Sequence, residues 1–476
     1  METRDCKLKD TCKGYDFCWA GDCVFKETYD TLTKKAPLPA HQVYRDILKA
    51  VAKGRNIFLT AGAGCGKSFF LNQLSQALPD KITLTATTGV AALNVSGATL
   101  HSALGLGLGN KPVKEVLARL NSYKLDFLNR IEILAIDEVS MLSGELLNKC
   151  NEFLKLARMN NKPFGGIQVI LIGEFCQLPP VDDSEIKPPV RDFCFYSSAW
   201  KELDLVKFEL RHNFRQEEDT QYSGILKKLR LGELSEEGFN LIKSREINNP
   251  PEDIPRLYAT NQEVFSYNME NLKKLGNEIK TYQASYRTGI EGIRKNKDYF
   301  NSLVEKMKKS SIVDDELTLC EGARVMLLRN LDLDNGLVNG SLGYIEYFCD
   351  DDSIIVNFDN GERRFIKKED VDMQDAEGKV ILTQTQYPLK LAYACTAHKI
   401  QGMTLDKVFI DFNRFFEINQ AYVALSRVRK LSGLFVKNFN TGVFKFSPEV
   451  LAFYKRLGQP QETRWMNYTQ NTITCS

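Results

Sequence analysis

The sequence lacks a long apolar run, since no stretch approaches the ~18–20 residues that a membrane-spanning helix needs. Its first ten residues, METRDCKLKD, lack the apolar segment of a signal peptide. An excess of one charge is also missing, because 63 Lys and Arg face 61 Asp and Glu. We therefore expect an intracellular soluble protein of the nucleus, mitochondrion or cytoplasm, with no membrane partner. With a net charge of +2, any nucleic acid must be held by a local basic groove.

The length of 476 residues predicts about three domains. Residues 1–36 are interpreted as a short Cys-rich N-terminal extension, because Pro37 and Pro39 follow it and disfavour continuous helix or strand. A four-thiolate zinc site is the favoured interpretation of its cysteines, although their spacing is wider than in common chelating pairs. Reduced thiols and disulfides stay open as alternatives. The four cysteines are Cys6, Cys12, Cys18 and Cys23.

Short apolar, β-branched segments predict the fold class. They are typical of buried parallel strands, and helical patterns separate several of them, which indicates a doubly wound α/β sheet. We predict a first core over residues 37–205 and a second α/β unit over 206–476. The strands are predicted at 56–60, 82–86, 131–136 and 168–172 in the first core, and at 256–259, 407–412 and 434–439 in the second.

Two insertions are predicted in the second unit. Residues 320–385 show short strands and Asn-Gly turns without a helical pattern, which predicts a small β-barrel. Residues from about 270 to 318 are basic with interleaved tyrosines. That segment is either a nucleic-acid contact surface or a solvated helical insertion, and the sequence leaves both interpretations open.

A glycine-rich segment carries the strongest chemical signal. Residues 61–68, AGAGCGKS, stand between a predicted strand and an amphipathic helix, which is the context of a phosphate-binding loop. Its three glycines would let backbone amides close around phosphates, Lys67 would neutralise the terminal phosphates, and the Ser68 hydroxyl would ligate magnesium. Ala61 replaces the usual first glycine, and an ordinary glycine-rich turn is the alternative. The predicted nucleotide-binding residues are Gly62, Ala63, Gly64, Cys65, Gly66, Lys67 and Ser68.

Polar residues at the ends of further predicted strands complete a catalytic set. Asp137 would hold magnesium, and Glu138 would orient and deprotonate the attacking water. Gln177, in GEFCQLPPV, would sense the γ-phosphate. Arg215 in LRHNFRQ and Arg427 in QAYVALSRVR lie in helix-compatible segments assigned to the second unit, from which they could act as arginine fingers. The alternatives are solvated loop carboxylates, a structural amide and surface salt bridges.

The ordered motifs resemble those of the Pif-type DNA helicases, relatives of RecD within helicase superfamily one, over most of residues 38–440. The resemblance implies two RecA-like P-loop NTPase domains with ATP between them, single-stranded DNA across both, and translocation from 5′ to 3′. The motifs that carry it are AGAGCGKS, ATTGVAAL, GATLHSALG, IDEVSM, PFGGIQVILIGEFCQLPPV, LRHNFRQ, LAYACTAHKIQGMTLD and QAYVALSRV.

Further residue roles follow from the same resemblance. Gln42 looks like the glutamine that reads adenine, with a surface amide as the alternative. Residues 103–130 match the position of a small wedge insertion, and Glu174 stands where aspartate is more usual. The two histidines among the DNA contacts could instead be core residues. The DNA contacts implied are Thr88, Gly89, Thr99, His101, Thr396, His398 and Lys399.

The resulting hypothesis is an ATP-dependent DNA helicase of replication, repair or recombination. It would use ATP and magnesium and act on single-stranded and forked DNA, with replication or repair proteins as candidate partners. The alternative is an ATP-switched nucleic-acid binding or remodelling subunit without autonomous unwinding. A monomer is expected rather than a ring, because both arginine candidates lie in the same chain as the phosphate loop.

Overall fold

A computed structural model describes Tyr29, Leu32 and residues 41–457 except 107–111, 181–191, 252–253, 312, 330, 333–334, 338, 375–379, 397–402, 414 and 416. The four N-terminal cysteines, His398 and Lys399 therefore lie outside the described residues. The first strands are β1 (Ile57–Ala61), β2 (Ile82–Ala86), β3 (Ala98–Thr99), β4 (Ile133–Asp137), β5 (Gln168–Gly173) and β6 (Val206–Leu210). The first helices are α1 (Gln42–Ala52), α2 (Lys67–Ala77), α3 (Gly89–Asn94), α4 (Leu100–Leu104), α5 (Val113–Leu117), α6 (Ser122–Arg130), α7 (Gly144–Ala157) and α8 (Ser198–Glu202).

These six strands form one parallel sheet in the order β3-β2-β4-β5-β1-β6. The four predicted strands of the first core are confirmed, and β1 and β5 are buried almost throughout, as continuous apolar runs require. The predicted boundary at residue 205 is wrong in one respect. Strand β6 pairs with β1 and thus adds a sixth strand to the first sheet.

The second unit contains the remaining elements. Its strands are β7 (Arg256–Tyr258), β8 (Lys280–Gln283), β9 (Ser285–Arg287), β10 (Glu316–Leu319), β11 (Arg324–Leu327), β12 (Leu342–Phe348), β13 (Ile354–Phe358), β14 (Arg363–Ile366), β15 (Glu369–Gln374), β16 (Val380–Gln386), β17 (Leu389–Leu391), β18 (Ala394–Thr396), β19 (Val408–Asp411) and β20 (Leu434–Lys437). Its helices are α9 (Thr220–Arg230), α10 (Glu236–Lys243), α11 (Asn261–Lys274), α12 (Glu291–Lys295), α13 (Lys297–Ser310), α14 (Gln420–Leu425) and α15 (Pro448–Leu457).

A second parallel sheet, β18-β7-β19-β20, contains the three strands predicted for this unit. Antiparallel strands are inserted between β7 and β18 in the chain. Five of them pair in the order β14-β13-β12-β11-β17, and the others form β15-β16-β9 and β10-β8. The basic segment 270–318 contains α12, α13 and strands β8 to β10.

The two units share a hydrophobic core. The Phe453 ring of α15 stacks on Phe195 at 4.5 Å and meets Phe175 at 5.2 Å between centroids. Phe58 of β1 and Trp200 of α8 complete this cluster at 6.0 Å each from Phe453. The last described helix thus packs against the first sheet. Among the described residues, no helix combines the length and the apolar character that crossing a bilayer demands.

Candidate active site

The phosphate loop follows β1 and leads into α2, as predicted. Gly64 and Gly66 have φ of 80° and 84°, which glycine adopts without a Cβ clash. Lys67 Nζ donates hydrogen bonds to the carbonyl oxygens of Ala61 at 2.9 Å and Gly62 at 3.3 Å, so the ammonium lies over the loop. Ala61 is the last residue of β1 and is buried within the sheet. The methyl group at this position is therefore accommodated in an extended strand.

A cavity of about 300 Å³ opens beside this loop. It brings together side chains from the first sheet, from the β6–α9 connection and from the second core. Lys67, Glu138, Gln177, Arg215 and Arg427, five of the six predicted catalytic residues, line it. The further lining residues are Ala63, Gly64, Cys65, Gly66, Ser68, Phe69, Phe214, Thr404 and Arg429.

Asp137 and Glu138 occupy the carboxyl end of β4. Asp137 is buried, and its Oδ1 accepts a hydrogen bond from the Glu138 amide at 2.9 Å. Burial, together with the negative charge of Glu138, raises the pKa of Asp137 to about 7. With the Ser68 hydroxyl, this carboxylate supplies the oxygen ligands that magnesium prefers, and a bound cation would favour its ionised form.

Glu138 has a left-handed backbone with a φ of 53°. This conformation costs about 1–3 kcal/mol in a non-glycine residue. Its carbonyl oxygen accepts hydrogen bonds from Thr87 Oγ1 at 3.0 Å and from the Met141 amide at 3.1 Å, which hold the turn. Within the described part of the chain, its Oε2 is buried and has no hydrogen-bond partner. Glu138 is also one of the residues that line the cavity beside Lys67.

Gln177 connects the first sheet to the second core. Its side chain is 2% exposed, and its Oε1 accepts a long hydrogen bond of 3.5 Å from Arg427 Nη2. Its carbonyl oxygen accepts a hydrogen bond of 3.0 Å from Asn419 Nδ2. Gln177 is therefore hydrogen-bonded to the second core through both its side chain and its backbone carbonyl.

The two arginines lie close to one another in the cavity wall. Arg215 Nε donates to Thr404 Oγ1 at 2.8 Å and its Nη1 donates to the Ser426 carbonyl at 3.0 Å. Burial, with the charge of Arg427 nearby, lowers the pKa of Arg215 to about 9. Burial also lowers the pKa of Arg427 to about 10. Two desolvated cations in one cavity favour binding of a polyanion such as a nucleoside triphosphate.

The prediction that Arg215 lies in a helix-compatible segment of the second unit is wrong. Arg215 lies in a turn between β6 and α9, and is therefore joined to the edge strand of the first sheet. Arg427 lies two residues beyond α14, and its Nε donates to the Val423 carbonyl at 3.0 Å. Of the two, Arg427 is the arginine that comes from the second core, where it closely follows α14.

Sequence reasoning missed several residues of this cavity. Phe69 and Phe214 line it and are 46% and 39% exposed. Phe214 precedes Arg215 in LRHNFRQ, and an aromatic residue beside a candidate finger was a signal that could have been used. Gln42 is not among the lining residues, and its Nε2 donates to Asp46 Oδ1 at 3.2 Å.

Two of the four predicted DNA contacts of the first core, Gly89 and Thr99, line a second cleft of about 440 Å³. Thr88 Oγ1 and Thr99 Oγ1 accept backbone hydrogen bonds of 3.2 Å and 3.3 Å at the starts of α3 and α4. Burial, and then the charge of Lys149, lowers the pKa of His101, so its imidazole is neutral near pH 7. Thr396 is buried at the end of β18.

A zinc site stays untested, because the four N-terminal cysteines lie outside the described residues. Across the described ranges, no cluster of three or more His, Cys, Asp or Glu side chains could hold a metal ion. None of the seven cysteines that the structure describes forms a disulfide.

Comparison with known proteins adds an independent result. Residues 39–238 match the model of the PIF1-like helicases, and residues 302–348 match that of the 2B domain of DNA helicase Pif1. The chain is 38% identical over 418 residues to the ATP-dependent DNA helicase PIF1 of Danio rerio, covering 86% of this chain and 63% of that protein. It thus spans less than two thirds of the length of this vertebrate relative.

Two further similarities cover nearly the whole of the related protein. The ATP-dependent DNA helicase Pif1 of Bdellovibrio bacteriovorus is 33% identical over 429 residues, which are 88% of this chain and 93% of that protein. The crystal structure of Bacteroides sp Pif1 in complex with ADP-AlF4 superimposes with a TM-score of 0.73 at 26% identity, covering 88% of this chain and 97% of that one.

Proposed function

Since the chain belongs to the PIF1-like helicase family, we propose that it is an ATP-dependent DNA helicase that moves along single-stranded DNA from 5′ to 3′ and unwinds duplex DNA. The observation that carries this proposal is the single cavity in which the phosphate loop, Glu138 and Gln177 meet Arg427 of the second core. A nucleotide bound there would touch both cores. Hydrolysis and relative movement of the cores are therefore coupled at one place.

In the proposed reaction, the loop amides and Lys67 hold the β- and γ-phosphates of ATP. Lys67 exchanges its two carbonyl partners for phosphate oxygens, Glu138 accepts the proton of the attacking water, and Arg215 and Arg427 stabilise the charge that develops on the transferred group. Ser68 and Asp137 would hold magnesium, which would supply positive charge beside the phosphates. Phe214 offers an aromatic face for the adenine, and Gln42 remains the proposed reader of its edge.

We propose that single-stranded DNA lies across both cores. Thr88, Gly89, Thr99 and His101 would contact the DNA from the first core. From the second core Thr396, with His398 and Lys399, would do the same. Hydroxyls, backbone amides and neutral imidazoles suit this task, because they bind DNA phosphates at any base sequence and can release them at each step.

The inserted elements receive finer assignments in this proposal. The two parallel sheets are the RecA-like cores, the antiparallel strands of 320–385 form the small β-barrel, and 103–130 is the wedge that meets the fork. For residues 1–36 we keep the zinc site as the proposal. Metal analysis of the purified chain tests it, and zinc at background level would contradict it.

Unwinding assays on 5′-tailed and 3′-tailed duplexes with ATP test the main proposal. We expect unwinding of the 5′-tailed substrate, an ATPase stimulated by single-stranded DNA, and loss of hydrolysis in Lys67→Ala. Glu138→Gln should still bind ATP and DNA but should not turn over. DNA-stimulated hydrolysis without unwinding would favour the ATP-switched subunit instead, and hydrolysis indifferent to DNA would contradict both.

A further inference from the structure

The loop that carries Gln177 is held from the second core by Asn419. Asn419 precedes α14, is 4% exposed, and has a left-handed backbone with a φ of 62°. Its Nδ2 donates hydrogen bonds to the carbonyl oxygens of Phe175 at 3.3 Å and Gln177 at 3.0 Å. A single buried amide thus bonds two backbone positions of the same loop.

Arg427, beyond the other end of α14, also contacts Gln177. Its Nε donates to the Val423 carbonyl, so the side chain folds back along α14. Its Nη2 then donates to Gln177 Oε1 at 3.5 Å. The two ends of α14 therefore hold residue 177, one at its carbonyl oxygen and the other at its side-chain amide.

The beginning of the loop is anchored differently. Glu174 is fully buried and forms an ion pair with Arg230 of α9 at 2.7 Å between Oε2 and Nε. Arg230 Nη1 also donates to Glu209 Oε1 of β6 at 2.8 Å, and β6 belongs to the first sheet. Arg230 therefore links Glu174, at the start of the loop, to β6 of the first sheet, while the Phe175–Gln177 segment is hydrogen-bonded to Asn419 and Arg427 on either side of α14.

We propose that Asn419 is a positioning residue for ATP hydrolysis, which makes the Phe175–Gln177 segment follow α14 so that Gln177 and Arg427 approach the γ-phosphate together. This inference rests on the proposed function, since it concerns the same nucleotide cavity. Asparagine tolerates the left-handed region better than most residues, and here it also supplies two donors that glycine lacks. Without them, the loop would be joined to α14 mainly by the long Arg427 hydrogen bond.

The variant Asn419→Gly separates these two properties. Glycine keeps the left-handed backbone without strain and removes both side-chain hydrogen bonds. The control is Asn438→Gly, because Asn438 also has a positive φ, of 56°, and its Nδ2 donates to Asp411 Oδ1 at 2.7 Å on the exposed surface. We expect the kcat of DNA-stimulated ATP hydrolysis to fall about tenfold in Asn419→Gly with KM for ATP changed by less than about threefold. Asn438→Gly should match the parent chain.

A second pair of measurements distinguishes positioning from a structural effect. If Asn419 acts through Gln177, then Asn419→Gly should change kcat by less than about twofold when it is added to Gln177→Ala. An equal loss of kcat in both backgrounds, or a normal kcat in Asn419→Gly, would overturn the inference. Asn419→Asp, which turns acceptors toward the two carbonyl oxygens, should lose at least as much activity as Asn419→Gly.

The parent chain serves as the reference for both proposals. A parent ATPase that single-stranded DNA does not stimulate contradicts the proposed function. A stimulated parent together with an equally active Asn419→Gly contradicts the positioning role alone. ATP hydrolysis without DNA is also measured for each variant, so that the kcat values of the variants and the parent chain are compared both with and without DNA.

Discussion

Replacing Gly64 with alanine should disable the nucleotide cavity, whereas the same change at Gly62 should be tolerated. A Cβ at position 64 would lie 2.5 Å from Arg215 Cβ and 2.8 Å from Asn213 Oδ1. At position 62 the nearest atoms, Cys65 Sγ and the Tyr422 hydroxyl, lie at an ordinary 3.7 Å. The two glycines of one loop therefore have opposite steric surroundings.

The size of the effect follows from two contributions. Alanine at a φ of 80° costs roughly 1–2 kcal/mol, because its Cβ crowds the following carbonyl oxygen. The contact at 2.5 Å must also be relieved by moving Arg215, whose neighbour Phe214 donates its amide to the Gly64 carbonyl at 3.0 Å. Because an arginine finger contributes ~10³–10⁵ in rate, even partial displacement should lower hydrolysis by roughly a hundredfold or more.

Steady-state ATP hydrolysis with saturating single-stranded DNA measures this difference, and thermal unfolding reports whether both variants are folded. Gly62→Ala should stay within about threefold of the parent rate. If Gly64→Ala were equally active, or if both variants lost activity to the same extent, the close approach of Arg215 would not be the reason for a glycine at position 64.

Three other changes have predictable outcomes. Phe453→Ala should lower the free energy of unfolding by about 3–5 kcal/mol in a denaturant titration, because it empties the aromatic cluster between the cores; a loss below about 1 kcal/mol would contradict that packing. Ala61→Gly, which restores the usual loop residue, should instead lower the free energy of unfolding by about 0.5–1 kcal/mol, because the position is a buried strand end. A clear gain in ATPase rate would refute this view of Ala61. Because the folded-state pKa of His101 is lowered, the unfolded chain takes up the proton first, so stability present above pH ~6.5 is lost as the pH falls below it. His101→Gln should show less of this acid destabilisation between pH 7.5 and 5.5 in unfolding experiments, and identical pH profiles would exclude a contribution from His101.

Local sequence signals predicted much of the fold. Seven of the ten strands of the two parallel sheets were predicted, because buried parallel strands are continuous apolar runs, whereas β3, β6 and β18 were not. The start of α11 is also set by chain neighbours, since Thr260 and Glu263 form a capping box: the Thr260 amide donates to Glu263 Oε2 at 3.2 Å, and the Glu263 amide donates to Thr260 Oγ1 at 3.3 Å. Such signals depend on residues that are neighbours in the chain.

Sheet membership and inter-core contacts were not predictable in this way. Strand β6 pairs with β1, which precedes it by about 150 residues, so no local pattern assigns Arg215 to the first core. Asn419 precedes and Tyr422 lies within a short apolar helix whose sequence pattern indicates only burial. Their bonds to Gln177 and to the Ala63 amide, the latter at 3.3 Å, arise from how the two sheets pack.

The position of α15 bears on how the chain reaches its folded state during synthesis. The aromatic centre of the first sheet around Phe58 and Phe175 is covered by Phe453, which leaves the ribosome almost four hundred residues after Phe58. A nascent chain therefore carries uncovered aromatic surface until its last described helix emerges. For the same reason, cutting the chain between the two units would not release an intact first half.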